Sequence, residues 1–252
     1  MSTVTPLTDS ELQQYERSWK TMGEEAYVML RGAILSGVLD PGQRLRINDI
    51  CRVSGMSRMP VREALAGLQR IGLVEMSPRH IARVAELSEA DLKDVFDARL
   101  SLEVSAIAAA ALHPDEGDIA RARDWLERLQ VTLGGEDLPS ALKAHAAFHF
   151  ALYGALSSRW LIRVVEPLWF SSERYVQVFV GSAAALLEAE RDEHERLLAA
   201  CERGDSELAA TLLWNHLACA GNLVSRKMGG GALYERRSGT ELGVTGERLG
   251  RS

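Results

Sequence analysis

Four histidines are placed where one ion or one polar ligand could gather them. His145 and His149 are four residues apart, so a single helix presents both imidazoles on one face. His194 and His216 follow in later helical stretches, and three helices that converge could deliver four ring nitrogens to one metal. A lone histidine is more often a satisfied core or surface residue, and spacing alone leaves that reading open. A second constellation is basic. Residues 41–83 hold eight arginines (Arg44, Arg46, Arg52, Arg58, Arg62, Arg70, Arg79, Arg83) against Asp49, Glu63 and Glu75. The whole chain carries −6, and residues 87–228 carry 14 basic against 22 acidic side chains. An arginine-rich block on an otherwise acidic chain suggests a phosphate-facing module joined to a part that does not touch nucleic acid. A solvated basic surface is the plainer alternative.

Something must position these groups, and 252 residues leave room for two domains. Apolar residues at 46% and charged residues at 25% are ordinary for a packed globular chain and exclude disordered and collagen-like classes. The longest apolar stretch, Val104 to Leu112, is far short of the roughly 20 residues that a bilayer span needs, so no membrane partner is expected. The start, Met1 to Ser10, lacks the basic and apolar regions of a signal peptide, and Cys51, Cys201 and Cys219 form no pairable framework. The expected address is cytoplasmic.

Residues 1–23 read as an N-terminal extension with a short helix, opened by a capping box at Thr8-Asp9-Ser10-Glu11 and continued by Leu12, Tyr15, Trp19 and Met22. Residues 24–86 alternate helix, turn, short helix and tight turn: Ala26 to Leu35, the Asp40-Pro41-Gly42 turn, Ile47 to Val53, then Ser54-Gly55. Ser57 sits where an N-cap would, and Pro60 falls in the first turn, where its missing N–H does no harm. Val61, Ala64, Leu65, Leu68 and Ile71 then repeat at helical steps until Gly72. Leu73 to Met76 and Ile81 to Ala85 read as a small hairpin. This is a winged helix-turn-helix layout.

Beyond Ser88 the pattern is helical only, over about 88–112, 116–133, 138–156, 159–180, 184–203 and 205–227. Residues 87–228 are expected to form an all-α antiparallel bundle, which makes the fold mainly α. Residues 229–252 are glycine-rich without a periodic apolar face and read as a disordered tail, dispensable for folding.

The run from Gly32 to Leu45 (GAILSGVLDPGQRL), followed by Met56 to Leu65 (MSRMPVREAL) and Gly72-Leu73-Val74, closely resembles the DNA-binding domain of GntR-family transcriptional regulators. Val95 to Glu103 (VFDARLSLE), Phe148-His149, Glu193 to Arg196 (EHER), Gly204-Asp205 and His216-Leu217 resemble the FadR subfamily with its FCD-type ligand-binding domain. The resemblance implies a DNA-binding homodimer on a pseudo-palindromic operator, with the helix from Ser57 in a major groove. It implies DNA contacts from Arg44, Ser57, Arg58, Met59, Pro60, Arg62, Arg79 and His80. Arg58 and Arg62 share a face, which lets one guanidinium read guanine while the other holds a phosphate. Met59 departs from the small hydroxyl residue frequent at its position, Ile81 stands where the wing often has glycine, and Asn48 where an arginine can occur.

For the helical domain the resemblance implies a divalent metal on His145, His149, His194 and His216. The subfamily commonly has Asp where this chain has His145, and an all-nitrogen set favours Zn²⁺ or Ni²⁺ over Mg²⁺ or Ca²⁺. Arg99 matches an arginine used against effector carboxylates, and its alternative is an i,i+4 pair with Glu103 or a neighbouring Asp. The implied function is a ligand-responsive regulator, a repressor of a metabolic operon controlled by a small organic acid. Two alternatives remain at this stage, a helical metalloenzyme and a dimerisation module with a vestigial site. An enzyme is hard to assemble, since no Glu-x-x-His occurs at the four histidines and no Gly-x-Ser-x-Gly appears.

Overall fold

Several helix starts in this chain are written in short hydroxyl and carboxylate signals that the computed structural model shows at work. Ser57, by contrast, stands at the N-cap position before Arg58 in extended backbone and its side chain makes no cap bond. The structure describes residues 21–35, 37–77, 81–133, 138–180, 187 and 190–238, which divide into two units, residues 1–86 and 87–252. In the first unit a reciprocal capping box opens α1 (Met22–Leu35): Thr21 Oγ1 accepts from Glu24 N at 3.2 Å, and Glu24 Oε2 accepts from Thr21 N at 3.0 Å. The helix buries Ala26, Leu30 and Ile34, a stripe with a step of four. The box expected at Thr8, and the short helix it would start, lie outside the described residues.

After β1 (Arg44–Leu45) comes α2 (Ile47–Ser54), which ends at Gly55 with φ 72°, a left-handed turn that glycine enters without strain. That turn launches α3 (Arg58–Arg70), whose inner face of Val61, Ala64, Leu65 and Leu68 packs against the α1 stripe. β2 (Val74–Met76) and β3 (Ala82–Val84) form the expected hairpin. One strand is new. β1 pairs antiparallel with β3, Arg44 opposite Arg83 and Leu45 opposite Ala82, giving the order β1-β3-β2. Two residues are too short for any periodicity to show in sequence.

In the second unit Ser88 caps α4 (Glu89–Leu112), its Oγ accepting from Asp91 N at 3.1 Å. Then follow α5 (Glu116–Leu133), α6 (Leu138–Leu152), a 3₁₀ turn over Gly154–Leu156, α7 (Arg159–Val180), α8 (Arg191–Glu202) and α9 (Ser206–Lys227). The helix expected over 138–156 thus stops at Leu152, and Ser157 at φ 48° ends the turn that follows. The stretch expected to be helical from 184 is described as α8 only from Arg191. Asp205 caps α9 by accepting from Leu208 N at 3.1 Å. Ile107, Leu129, Phe148, Leu197 and Leu213 meet in the main core, while Leu92, Phe96, Tyr175 and Val224 form a second cluster. At Gly221 an added Cβ would meet the Phe96 ring at 3.1 Å, so a larger residue would press that ring aside where α9 lies close to α4. Among the described residues no helix is long and apolar enough to cross a membrane.

The expectation of a disordered tail from residue 229 is corrected as far as Ser238. Residues 230–237 run back along α9 and are fastened through their backbone to side chains of that helix, among them Asn222 and Asn215. Such docking needs no apolar periodicity, which is why composition did not reveal it. Residues 239–252 lie outside the described residues.

Candidate nucleic-acid interface and metal centre

On α3, Arg58, Met59 and Arg62 all face solvent. The helix has committed its apolar stripe to the core, which turns the opposite face outward. Neither arginine makes a hydrogen bond or ion pair among the described residues, so the alternative of a neighbouring acid is not what holds Arg62. Met59 is 67% exposed, an unusual place for a large apolar side chain with nothing to cover it. Ser57 and Arg44 are exposed as well. Pro60 is a correction: it is buried beside Val61 and serves to start α3, with no surface left for a base or phosphate. Arg79 and His80 lie outside the described residues. Among the other arginines, Arg83 donates to Gly42 O at 3.1 Å and Arg52 pairs with Asp49 at 3.0 Å.

The second unit brings all four histidines together. α6 carries His145 and His149, α8 carries His194 and α9 carries His216, and one ring nitrogen from each lies within 4.8 Å of the others. His145 Nε2 is 3.1 Å from His194 Nε2. The His149 ring stacks on His216 at 5.2 Å between centroids. His149, His194 and His216 are buried. Both nitrogens of His149 and Nδ1 of His194 have no hydrogen-bond partner. Burying unpartnered polar atoms costs roughly 1–3 kcal/mol each, so this many in one place is a poor bargain for a structural core. A cation would resolve it, because ring nitrogens are what a transition metal takes. The donor set present therefore fits the metal that the resemblance implied.

Electrostatics agree. Burial, with repulsion from neighbouring rings, holds His145, His149 and His194 well below the ordinary histidine value of 6.5, which leaves their lone pairs available. His216 moves the other way. Burial alone would lower it, but Glu190 and Glu193 together raise it. Glu193 Oε2 lies 3.3 Å from His216 Nδ1 and Glu190 Oε1 lies 4.0 Å away. Neither glutamate had been given a role from the sequence. Glu193 stands inside the quoted EHER string, but nothing in linear spacing shows that it faces the next helix.

Beside the histidines opens a cleft of about 50 Å³, walled in part by His145, His216, Trp169, Ser172, Glu173 and Glu190. Arg99 lies behind this wall, and it is bound within the protein. Its Nε donates to Glu103 Oε1 at 2.6 Å, Nη2 to Glu103 Oε2 at 3.3 Å, and Nη1 to Ser172 Oγ at 2.7 Å. Its guanidinium also lies over Trp169, 4.3 Å from the ring centre. Tyr153 donates to the same Glu103 at 2.8 Å. The i,i+4 pair is what the structure shows, and with the Ser172 bond it leaves Arg99 only part of its donor capacity.

Comparison with known proteins matches residues 22–84 to the family described as bacterial regulatory proteins, gntR family, and residues 94–218 to the FCD domain. The chain is 27% identical over 213 residues to the HTH-type transcriptional repressor GlaR of Escherichia coli K12, covering 82% of this chain and 97% of that one. It is 35% identical over 130 residues to a helix-turn-helix transcriptional regulator from the ttuE-ttuC' intergenic region of Agrobacterium vitis, covering 50% of this chain and 76% of the relative. The fold is similar to that of E. coli McbR/YncC, with a TM-score of 0.71 at 24% identity over 82% of this chain and 99% of that structure.

Proposed function

Because this chain belongs to the gntR family of bacterial regulatory proteins and carries an FCD domain, we propose that it is a homodimeric, ligand-responsive repressor of a metabolic operon, with a metal-centred effector site. Transcription regulators of this family are not enzymes, and no turnover need be assigned to the histidines. The observation that carries the reading is the cluster of four imidazoles with three buried, unpartnered nitrogens. His149, His194 and His216, with His145 as the fourth, would hold Zn²⁺ or Ni²⁺, and the ion would supply a positive centre for an anionic ligand.

The cleft limits that ligand. A volume of about 50 Å³ is room for a few water-sized groups, which suits an organic acid of few heavy atoms. Glu173 and Glu190 on its wall would repel a free carboxylate, so the metal and the buried Arg99 must supply the attraction. Arg99 keeps donors beyond the three it spends on Glu103 and Ser172, and it contributes mainly as a fixed charge behind Trp169.

A route outward starts on α7. One turn of this helix lines the cleft with Ser172, Glu173 and Val176, and between them Tyr175 reaches the start of α4. Its hydroxyl accepts from Ser88 N at 3.0 Å and donates to Asp91 Oδ2 at 2.7 Å. Ser88 is two residues past the end of the DNA-binding unit. A ligand that shifts α7 would shift the point from which that unit hangs, provided it binds one arrangement more tightly than the other.

The test is operator binding by the full chain, first with bound metal and then with candidate acids added. An inverted-repeat duplex bound with steep salt dependence, released by one acid only when metal is present, is the expected result. A protein that takes up neither Zn²⁺ nor Ni²⁺ would end the metal reading, and a salt-independent affinity would end the arginine reading.

A further inference from the structure

The segment after α9 does not merely lie on the surface; two asparagines grip it by its backbone. Asn222 Oδ1 accepts from Leu233 N at 2.6 Å and Tyr234 N at 2.9 Å, and its Nδ2 donates to Tyr234 O at 2.8 Å. Asn215 repeats the pattern one heptad earlier: Oδ1 accepts from Arg237 N at 2.8 Å and Nδ2 donates to Arg237 O at 3.0 Å. The registers match. Seven helical residues rise about 10.5 Å, and three extended residues span at most about 10–11 Å. Ser225 Oγ, Trp214 Nε1 and Tyr234 OH add further bonds, to Gly231 O, Glu235 O and Asp97 Oδ1. The result is a strap held in a defined register.

That register places Arg236 against the metal centre's outer face. Arg236 Nη2 lies 3.7 Å from Glu193 Oε1, while the other oxygen of the same carboxylate lies 3.3 Å from His216 Nδ1. A carboxylate that accepts from Nδ1–H selects the tautomer with a free lone pair on Nε2, and it fixes the ring's orientation. An arginine on its second oxygen keeps the carboxylate from rotating away.

We propose that the strap is a working part of the metal centre: Glu193 and Arg236 are positioning residues that hold His216 for the ion, so that metal binding and strap docking favour one another. The inference rests on the metal reading above and adds to it a coupling between the ion and a surface element. Such coupling is reciprocal, since whatever the docked strap adds to metal affinity the bound metal adds to docking.

Zn²⁺ alone is the probe, titrated into the full chain against a chromogenic chelator, with hydrogen exchange across residues 229–238 as the second readout. Glu193→Gln should weaken Zn²⁺ binding by about 10–100-fold. Arg236→Ala should weaken it several-fold while Arg236→Lys keeps most of the affinity, and since Arg236 is exposed neither variant should disturb the fold. Zn²⁺ should slow exchange in the strap of the wild-type chain, and do so less in Arg236→Ala. Wild-type affinity in both Arg236→Ala and the Asn215→Ala/Asn222→Ala double variant, with strap exchange indifferent to Zn²⁺, would overturn the coupling and leave the metal site standing. A wild-type chain that takes up no Zn²⁺ would remove both.

Discussion

The two units expose their chemistry in opposite ways. On α3 the side chains proposed to meet DNA, Arg58, Met59 and Arg62, stand in solvent on the back of a helix whose other face does the folding. In the helical unit three of the four histidines proposed to hold a metal are interior, and His149 and His194 are left with unsatisfied nitrogens. A surface that will meet a polyanion can wait in water at little energetic cost. A centre proposed to hold a small ion gains affinity by excluding water, which is the role that burial of its ligands suits. The first arrangement separates stability from function, and the second ties them together.

That contrast is broken most readily at Arg99. Its replacement by Ala leaves the Glu103 carboxylate buried and unpaired, and should destabilise the helical unit by about 3–5 kcal/mol in urea unfolding. A loss under 1 kcal/mol would show that this interior is not the tightly coupled one described. Next in size is the ion. Zn²⁺ at about 1,000 times its Kd should raise the stability of the helical unit by about 4 kcal/mol, and His194→Ala should abolish the gain while operator binding persists.

Acid should act on the same centre. In metal-free protein, burial first and neighbouring rings second keep His145, His149 and His194 well below 6.5, so below that pH the unfolded chain binds more protons than the folded one. Stability conferred by their neutral burial is present above pH 6.5 and is lost as pH falls. His216, raised by its glutamates, contributes in the opposite sense, with stability present below 6.5 and lost as pH rises through its folded value. Three against one, thermal unfolding of chelator-treated protein should show lower stability at pH 5 than at pH 8. A flat or inverted profile would show that these imidazoles are hydrated.

On the other side of the comparison, Arg58→Ala or Arg62→Ala should weaken operator binding by about 1–3 kcal/mol where the side chain reads a base, and leave unfolding within about 0.5 kcal/mol. The smallest effect is expected at the junction. Ser88→Ala removes one cap bond from α4 and should cost about 1 kcal/mol of stability. Tyr175→Phe removes the hydroxyl that bonds Ser88 N and Asp91, and an altered effector response in that variant with operator affinity kept would show that this contact carries signal as well as structure.

Several features were legible in the sequence because they are local. Helical periodicity, capping residues and glycine turns placed α1 to α5, and the caps at Ser88 and Asp205 were readable from one side chain and the amide three residues on. The four histidines were legible for a mixed reason: a step of four on α6 is a local rule, while their meeting with α8 and α9 rested on family resemblance. Two-residue β1 escaped because so short a strand exists only by pairing with β3. The strap escaped because its order comes from amide side chains 11 to 12 and 22 residues away.

What the sequence determined by itself is therefore the order of elements, the basic face of α3 and the inventory of ring nitrogens. Each of these depends on residue type and on spacings within one helix. Only the tertiary structure decided that Pro60 faces inward, that Glu103 and Ser172 occupy Arg99, and that Glu193 joins His216 to the strap. Those outcomes depend on which groups are brought within about 3 Å across separate elements. At that range burial and hydrogen bonding, neither of which is encoded in linear spacing, determine what a charged side chain is free to do.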